Sequence, residues 1–149
     1  MLYKEEVRDL FAVPDDYYLA HCISADFGMG KGIVVEFNKR FDMKNKLVSK
    51  YHDFTNHWDD EKGECKGTCI LEDRVFNLIT KRNYWHKPTY ETLRHALHHM
   101  KILAVNNGVK KIAMPIIGCG LDKLQWREVY QIIIEVFSDT DIEILVCKL

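Results

Sequence analysis

Two glycine-rich loops have the residue types and the spacing that could do chemistry. One loop has the sequence IGCGLDK (117–123), with the carboxylate of Asp122, and lies between an apolar run and an amphipathic stretch. The other has the sequence FGMGKGI (27–33) and also precedes an amphipathic stretch. Because glycine has no side chain, such loops let backbone N–H groups approach phosphates closely. Two of them in one small chain predict a diphosphate bound between them.

Length, composition and charge define the class of protein. The chain has 149 residues, 47% of them hydrophobic and 29% charged, with a formal net charge of −1. These values predict one globular domain over 1–149 and give no support to a general binder of nucleic acids or anionic membranes. No apolar run approaches the roughly 18 residues of a membrane-spanning helix. Five cysteines without a framework spacing and an N-terminus unlike a signal peptide predict an intracellular protein.

Strand and helix patterns alternate along the chain, and they place both loops. Six strands are predicted, at Leu2–Val7, Tyr17–Ile23, Thr68–Leu71, Arg74–Thr80, Lys111–Pro115 and Ile142–Val146. Helices are predicted over Gly30–Arg40, from Thr89 to Gly108 and from about Gln125 to Phe137, with a helical fragment in the polar stretch 45–67. This alternation predicts an α/β fold with a mainly parallel sheet and helices on both faces. Ligands of such sheets bind at the carboxyl ends of the strands, where both loops fall.

The chain resembles a macrodomain, and within that family the branch of terminal ADP-ribose protein glycohydrolases, which are also O-acyl-ADP-ribose deacylases. The matching segments occur in order and at matching spacing over essentially the whole chain, up to Thr140–Ile142 and Leu149. They are DLF (9–11), LAHCIS (19–24), MGKGI (29–33), LITK (78–81), HKPTYE (86–91), and MP (114–115) with GCGLD (118–122). The resemblance implies a three-layer macrodomain fold, with a mixed, mostly parallel sheet between helices.

The resemblance also implies a pocket for ADP-ribose. Asp9 matches the acid that accepts a hydrogen bond from the adenine amino group, and Leu149 matches a terminal residue at the same end of the pocket. An acceptor-only carboxylate suits an amino donor. The two glycine loops would surround the diphosphate and the distal ribose. The further ligand-binding residues implied are Leu10, Ser24, Gly28, Met29, Gly30, Gly32, Ile33, Ile116, Ile117, Gly118, Cys119, Gly120 and Leu121.

The catalytic residues implied by the resemblance are Lys81 and Asp122. In the resembled enzymes, the matching lysine attacks the anomeric carbon of the distal ribose and forms a covalent adduct, and the matching aspartate assists proton transfer. A carboxylate is a good leaving group, so a neutral amine can displace it from ADP-ribose without a metal. A free lysine is almost fully protonated at neutral pH, so its surroundings must favour the neutral form. The implied activity is hydrolysis of ADP-ribose esters of glutamate and aspartate side chains and of O-acyl-ADP-ribose.

Other functions stay open at this point. One alternative is a module that binds ADP-ribose without turnover, and the presence of both Lys81 and Asp122 favours the enzyme. Another is a hydrolase of ADP-ribosylated nucleic acid, and a phosphatase of ADP-ribose phosphate is a weaker third. The expected partners are ADP-ribose, ADP-ribosylated proteins and O-acyl-ADP-ribose. We expect no membrane association, no cofactor and a monomer.

Several residues depart from the resembled pattern or invite another interpretation. Lys31 adds a cation within the first glycine loop, and Ile116 stands where close relatives have an arginine. Cys119 is predicted to be a small loop residue rather than a thiol nucleophile. A zinc site is not predicted, because the spacing of the candidate ligands matches no strong signature. Those candidates are His52, His57, Cys65 and Cys69.

Overall fold

Strands and helices follow one another in the order that the sequence predicts. The computed structural model of the protein describes residues 1–58 and 67–149. The strands are β1 (Leu2–Val7), β2 (Tyr18–Ser24), β3 (Thr68–Glu72), β4 (Val75–Lys81), β5 (Lys111–Met114) and β6 (Glu143–Lys148). The helices are α1 (Val34–Phe41), α2 (Met43–Tyr51), α3 (Tyr90–Asn106) and α4 (Trp126–Phe137), with short 3-10 turns at Leu10–Ala12 and Thr55–His57.

The six strands form one mixed sheet in the order β1–β6–β5–β2–β4–β3. Five of them are parallel, and only β3 at one edge runs antiparallel to its neighbour β4. The predicted α/β class with a mostly parallel sheet is therefore confirmed. Because parallel strands share a direction, the carboxyl ends of β1, β6, β5, β2 and β4 meet at one edge of the sheet.

Helices cover both faces of the sheet and create two separate cores. On one face, α3 and α4 bury apolar side chains such as Leu97 and Ile133 against Phe76 of β4. On the other face, α1 and α2 bury Phe37 and Leu47 against a second set of strand side chains. Strands buried on both faces consist of nearly continuous apolar residues, which explains the sequence of β4. The result is the three-layer arrangement expected from the sequence.

The largest difference from the predicted elements concerns the first helix. It was expected from Gly30, but α1 begins at Val34. Gly32 has a φ of +82°, a left-handed conformation that cannot belong to a right-handed helix. Residues 28–32 therefore form a loop, and the glycines precede the helix rather than open it.

The long helix α3 begins and ends as the sequence predicts. The Thr89 hydroxyl accepts a hydrogen bond from the Thr92 backbone N–H, and Thr92 reciprocates, which completes a capping box. At the other end, Gly108 has a φ of +67°. No helix among the described residues has both the length and the apolar character needed to cross a bilayer.

Candidate functional site

The predicted site residues follow one edge of the sheet in the order of its strands. Asp9 comes after β1, Leu149 ends the chain after β6, and the second glycine loop follows β5. The first glycine loop follows β2, and Lys81 is the last residue of β4. Adjacent strands are about 4.8 Å apart, so the four spacings from β1 to β4 span about 19 Å. This edge suits an elongated ligand with different groups at its two ends.

Lys81 and Asp122 form an ion pair between the end of β4 and the second glycine loop. The Lys81 Nζ donates a hydrogen bond to Asp122 Oδ1 at 2.7 Å, and each side chain is only 15% exposed. The two residues are 41 positions apart in sequence, so only the fold brings them together. In partly desolvated surroundings such a charge-assisted hydrogen bond is strong and fixes the geometry of both groups.

The second glycine loop has a backbone that holds Asp122 at this position. Gly118 has a φ of +75°, and its carbonyl accepts a hydrogen bond from the Leu124 N–H at 2.7 Å. Lys123 also has a positive φ, of 61°. The chain therefore turns back on itself across residues 118–124, directly before α4, and the turn directs the Asp122 carboxylate toward the end of β4.

Asp26 is a residue of the site that the sequence did not single out. Its carboxylate accepts hydrogen bonds from the Ser24 hydroxyl at 2.5 Å and from the backbone N–H groups of Gly28 and Tyr84 at 3.0 Å each. Burial alone would raise the pKa of Asp26, but these donors outweigh it and lower the pKa below its ordinary value. The carboxylate thus ties the first glycine loop to the segment after Lys81. The sequence did contain a signal for this role, because Asp26 is an acidic residue two positions after Ser24, the last residue of the buried strand β2.

The segment after β4 lies between the two glycine loops and contacts both. A Cβ placed on Gly28 would lie 2.9 Å from the Tyr84 Cβ, so the first loop can pass here only with a glycine. On the other side, the Lys87 Nζ donates to the Leu121 carbonyl at 2.7 Å. The segment 82–87, which follows Lys81 directly, therefore connects the two glycine loops.

The opposite end of the edge contains the residues predicted to contact adenine. Val7 and Lys148 are register partners in β1 and β6, so Asp9 and the exposed Leu149 follow neighbouring strand ends. The Asp9 Oδ1 accepts a hydrogen bond from the Phe11 backbone N–H at 2.9 Å. The exposed carboxylate can accept further bonds, because an ionised carboxylate accepts about four.

Not every predicted ligand-binding side chain is accessible. The side chains of Leu10, Ser24, Met29 and Ile117 are buried, and three of them belong to the two cores. Only their backbone can face a ligand in this arrangement. Gly28, Ile116, Gly118 and Cys119 are half-buried, while Gly30, Gly32, Ile33, Gly120 and Leu121 are exposed.

Two thiols lie close to the ion pair. Burial raises the pKa of Cys22 to about 12, and it raises the pKa of Cys119 to about 11. Both thiols are therefore protonated at neutral pH, which agrees with a small-residue role for Cys119. Among residues 1–58 and 67–149, no group of three or more metal-ligating side chains is found. Cys65, a member of the zinc candidate set, lies outside the described residues.

The fold and the candidate site define an α/β domain with two glycine-rich loops at the edge of the sheet where its parallel strands end. The family model of the Macro domain matches residues 29–133, and the chain belongs to this family. It is 45% identical over 141 residues to the ADP-ribose glycohydrolase OARD1 of Bos taurus and 44% identical to that of Homo sapiens, in each case over 95% of this chain and 88% of the relative. The macrodomain of Thermus aquaticus DarG superposes with a TM-score of 0.80 at 24% identity, over 99% of both chains.

Proposed function

We propose that this macrodomain is an ADP-ribose glycohydrolase that removes mono-ADP-ribose from glutamate and aspartate side chains and deacylates O-acyl-ADP-ribose. The observation that carries the proposal is the hydrogen-bonded pair of Lys81 and Asp122 at one end of the ligand-binding edge. The similarity to proteins named ADP-ribose glycohydrolase, over 95% of the chain, supports the same activity. We expect the enzyme to act inside the cell.

Lys81 acts as the nucleophile in this proposal, and Asp122 accepts its proton. The Nζ lone pair attacks the anomeric carbon of the distal ribose, and the bond from that carbon to the acyl oxygen breaks. The electron pair of the broken bond leaves with the carboxylate of the modified side chain. Before the attack, Asp122, whose Oδ1 lies 2.7 Å from Nζ, takes a proton from the Lys81 ammonium and so frees the Nζ lone pair. Water then attacks the same carbon and the bond from that carbon to Nζ breaks, which releases ADP-ribose and the Lys81 amine, while the proton that balances the carboxylate product goes to solvent.

The glycine loops and the β1–β6 end bind the rest of the ligand. Backbone N–H groups of the loops contact the diphosphate, and Asp9 accepts a hydrogen bond from adenine. Holding the ligand at both ends positions the anomeric carbon next to the Lys81 amine, and such positioning contributes a large share of many rate accelerations.

The decisive experiment measures release of ADP-ribose from a glutamate-modified protein by wild type and by variants of the pair. Lys81→Arg keeps a cation for Asp122 but cannot provide a neutral amine, because guanidinium stays protonated. We expect Lys81→Arg and Lys81→Ala to lose turnover by at least about 10³-fold, since a covalent step is removed. Asp122→Ala should be similarly impaired. Titration with free ADP-ribose checks that each variant still folds and binds.

A matched control separates the nucleophile from a general effect of a lost ion pair. Lys101 is 18% exposed and also forms a 2.7 Å pair with an aspartate, Asp139, away from the site. Lys101→Ala should turn over substrate like wild type. Turnover by Lys81→Arg at the wild-type rate would rule out a lysine nucleophile. Tight binding of ADP-ribose by the wild type, without turnover of any ester, would instead indicate a non-catalytic ADP-ribose-binding module.

A further inference from the structure

Two large aromatic side chains stand exposed beside the candidate nucleophile. Tyr84 is 62% and Trp85 63% exposed, three and four residues after Lys81. Their ring centroids are 5.0 Å apart and the rings meet at 88°, edge to face. Exposed aromatic pairs of this size at the rim of a binding site are typical of surfaces that bind another molecule. The proposed reaction at Lys81 and Asp122 gives them no role.

The turn that carries these aromatics is fixed at several points. The Tyr84 N–H donates a hydrogen bond to the Asp26 carboxylate. The Asn83 N–H donates to the His86 Nδ1 at 3.2 Å, and the His86 N–H donates to the Asn83 carbonyl at 3.0 Å. Lys87 fixes the far end of the turn through the Leu121 carbonyl. The backbone that carries the aromatic pair is therefore held in place next to Lys81. Binding of a partner there costs the protein little conformational entropy.

The segment that carries the aromatic pair is basic, and the nearby carboxylates of Asp26 and Asp122 accept hydrogen bonds from other groups. The segment 82–90 contains Arg82 and Lys87 and no acidic residue, the next acid along the chain being Glu91. Lys31 and Lys123 belong to the two glycine loops, which contact this segment through Gly28 and Leu121. Neither Arg82 nor these two lysines forms an ion pair with any residue in 1–58 or 67–149. A partner with negative charge would complement them.

We propose that Tyr84 and Trp85, with Arg82 and Lys87, bind the acidic protein segment that carries the ADP-ribosylated side chain. This inference rests on the proposed function and names the part of the substrate that lies outside the ADP-ribose pocket. Because the two rings are perpendicular, they do not offer the parallel faces on which successive bases stack, and this favours a peptide over a nucleic acid strand.

The test compares an acidic peptide bearing one ADP-ribosylated glutamate with O-acetyl-ADP-ribose, which lacks a protein segment. In Trp85→Ala, the ratio of kcat/KM for the peptide to kcat/KM for the small ester should fall about tenfold, as is typical when an interface tryptophan is truncated. Raising the salt concentration should lower kcat/KM for the peptide with wild type, and less so with Arg82→Gln. Ile102→Ala/Val105→Ala is the control, because it removes two exposed apolar side chains from the end of α3 that is remote from the site.

A binding measurement keeps the test independent of turnover. With Lys81→Arg as background, Trp85→Ala should weaken binding of the modified peptide about tenfold while the affinity for free ADP-ribose stays the same. An unchanged peptide preference in both assays would overturn the inference. A larger loss with an ADP-ribosylated single-stranded oligonucleotide than with the peptide would also overturn it and assign the surface to nucleic acid. Absence of turnover by wild type, with peptide binding still dependent on Trp85, would reject the proposed hydrolase alone.

Discussion

His21 lies in the middle of β2, and its imidazole is fully buried. One ring nitrogen, Nε2, is 2.6 Å from Asn77 Oδ1, and the ring stacks on Phe37 with centroids 3.8 Å apart. Burial lowers the pKa of His21 to about 4. The folded protein therefore holds a neutral imidazole under conditions where an exposed histidine would be protonated.

This histidine makes folding stability depend on pH. The pKa is about 4 in the folded state and about 6.5 in the unfolded state, so the unfolded chain binds more protons below pH 6.5. The free energy of unfolding should fall by about 2 kcal/mol from pH 7.5 to pH 5 through this group. His21→Gln can still bond to Asn77 and does not titrate, so it should lose that part of the pH dependence. Urea unfolding at both pH values measures the difference, and equal losses in wild type and variant would contradict the argument.

Among the individual residues, Asp26 shows that residue types alone do not predict contacts between distant parts of the chain. Its proximity to Ser24 is visible in the sequence, but the hydrogen bond from Tyr84 joins positions 58 residues apart. The contact between Lys81 and Asp122 is hidden in the same way. The spacing of Lys81 and Asp122 along the chain does not indicate how far apart they lie in the fold. They were predicted to act together only because the chain resembles a family of enzymes.

Elements were more predictable than contacts, because hydrophobic periodicity is a local property. The strands and α3 were predicted with nearly correct bounds, since their burial imposes apolar runs or stripes and their ends carry Thr89 and Gly108. The start of α1 was wrong because Gly32 adopts a backbone conformation that periodicity does not report. The pairing of the first strand with the last, with Leu2 opposite Glu143, depends on the whole chain and was not predicted.

The glycine loops allow a test of binding that does not disturb folding. A Cβ on Gly120 would meet no atom within 4 Å, and this residue does not have a positive φ. Gly120→Ala should therefore keep the wild-type Tm but weaken ADP-ribose binding about tenfold, or about 1.4 kcal/mol, if phosphate approaches the backbone here. Calorimetric titration and thermal unfolding provide the two readouts.

Gly118 is the contrasting position in the same loop. It has a φ of +75°, and a Cβ there would lie 3.0 Å from the Leu124 side chain. Gly118→Ala should therefore lower the Tm as well as the affinity. Wild-type affinity in Gly120→Ala would mean that the diphosphate does not contact this part of the loop.

At the scale of the whole molecule, the proposed site combines residues that follow outer and central strands of the sheet. Asp9 and Leu149 follow the outer strands β1 and β6, and Lys81 ends β4 on the other side of β5 and β2. The N-terminal ammonium also donates to the Thr140 carbonyl, which links β1 to the segment before β6. A ligand that extends along this edge contacts loops from five strands, so its binding energy stabilises the domain as a unit.

Bound ADP-ribose should therefore raise the Tm of the entire domain in a single transition. At a ligand concentration of 100 Kd the added stability is about 2.7 kcal/mol. For a domain of this size that corresponds to about 5 to 10 °C. Adenosine monophosphate and ribose 5-phosphate each occupy only part of the edge and should give smaller shifts. In Asp9→Ala, the shift with adenosine monophosphate should shrink while the shift with ribose 5-phosphate stays the same, because Asp9 lies at the adenine end of the proposed site. An adenosine monophosphate shift unaffected by Asp9→Ala would mean that adenine binds somewhere other than the β1–β6 end.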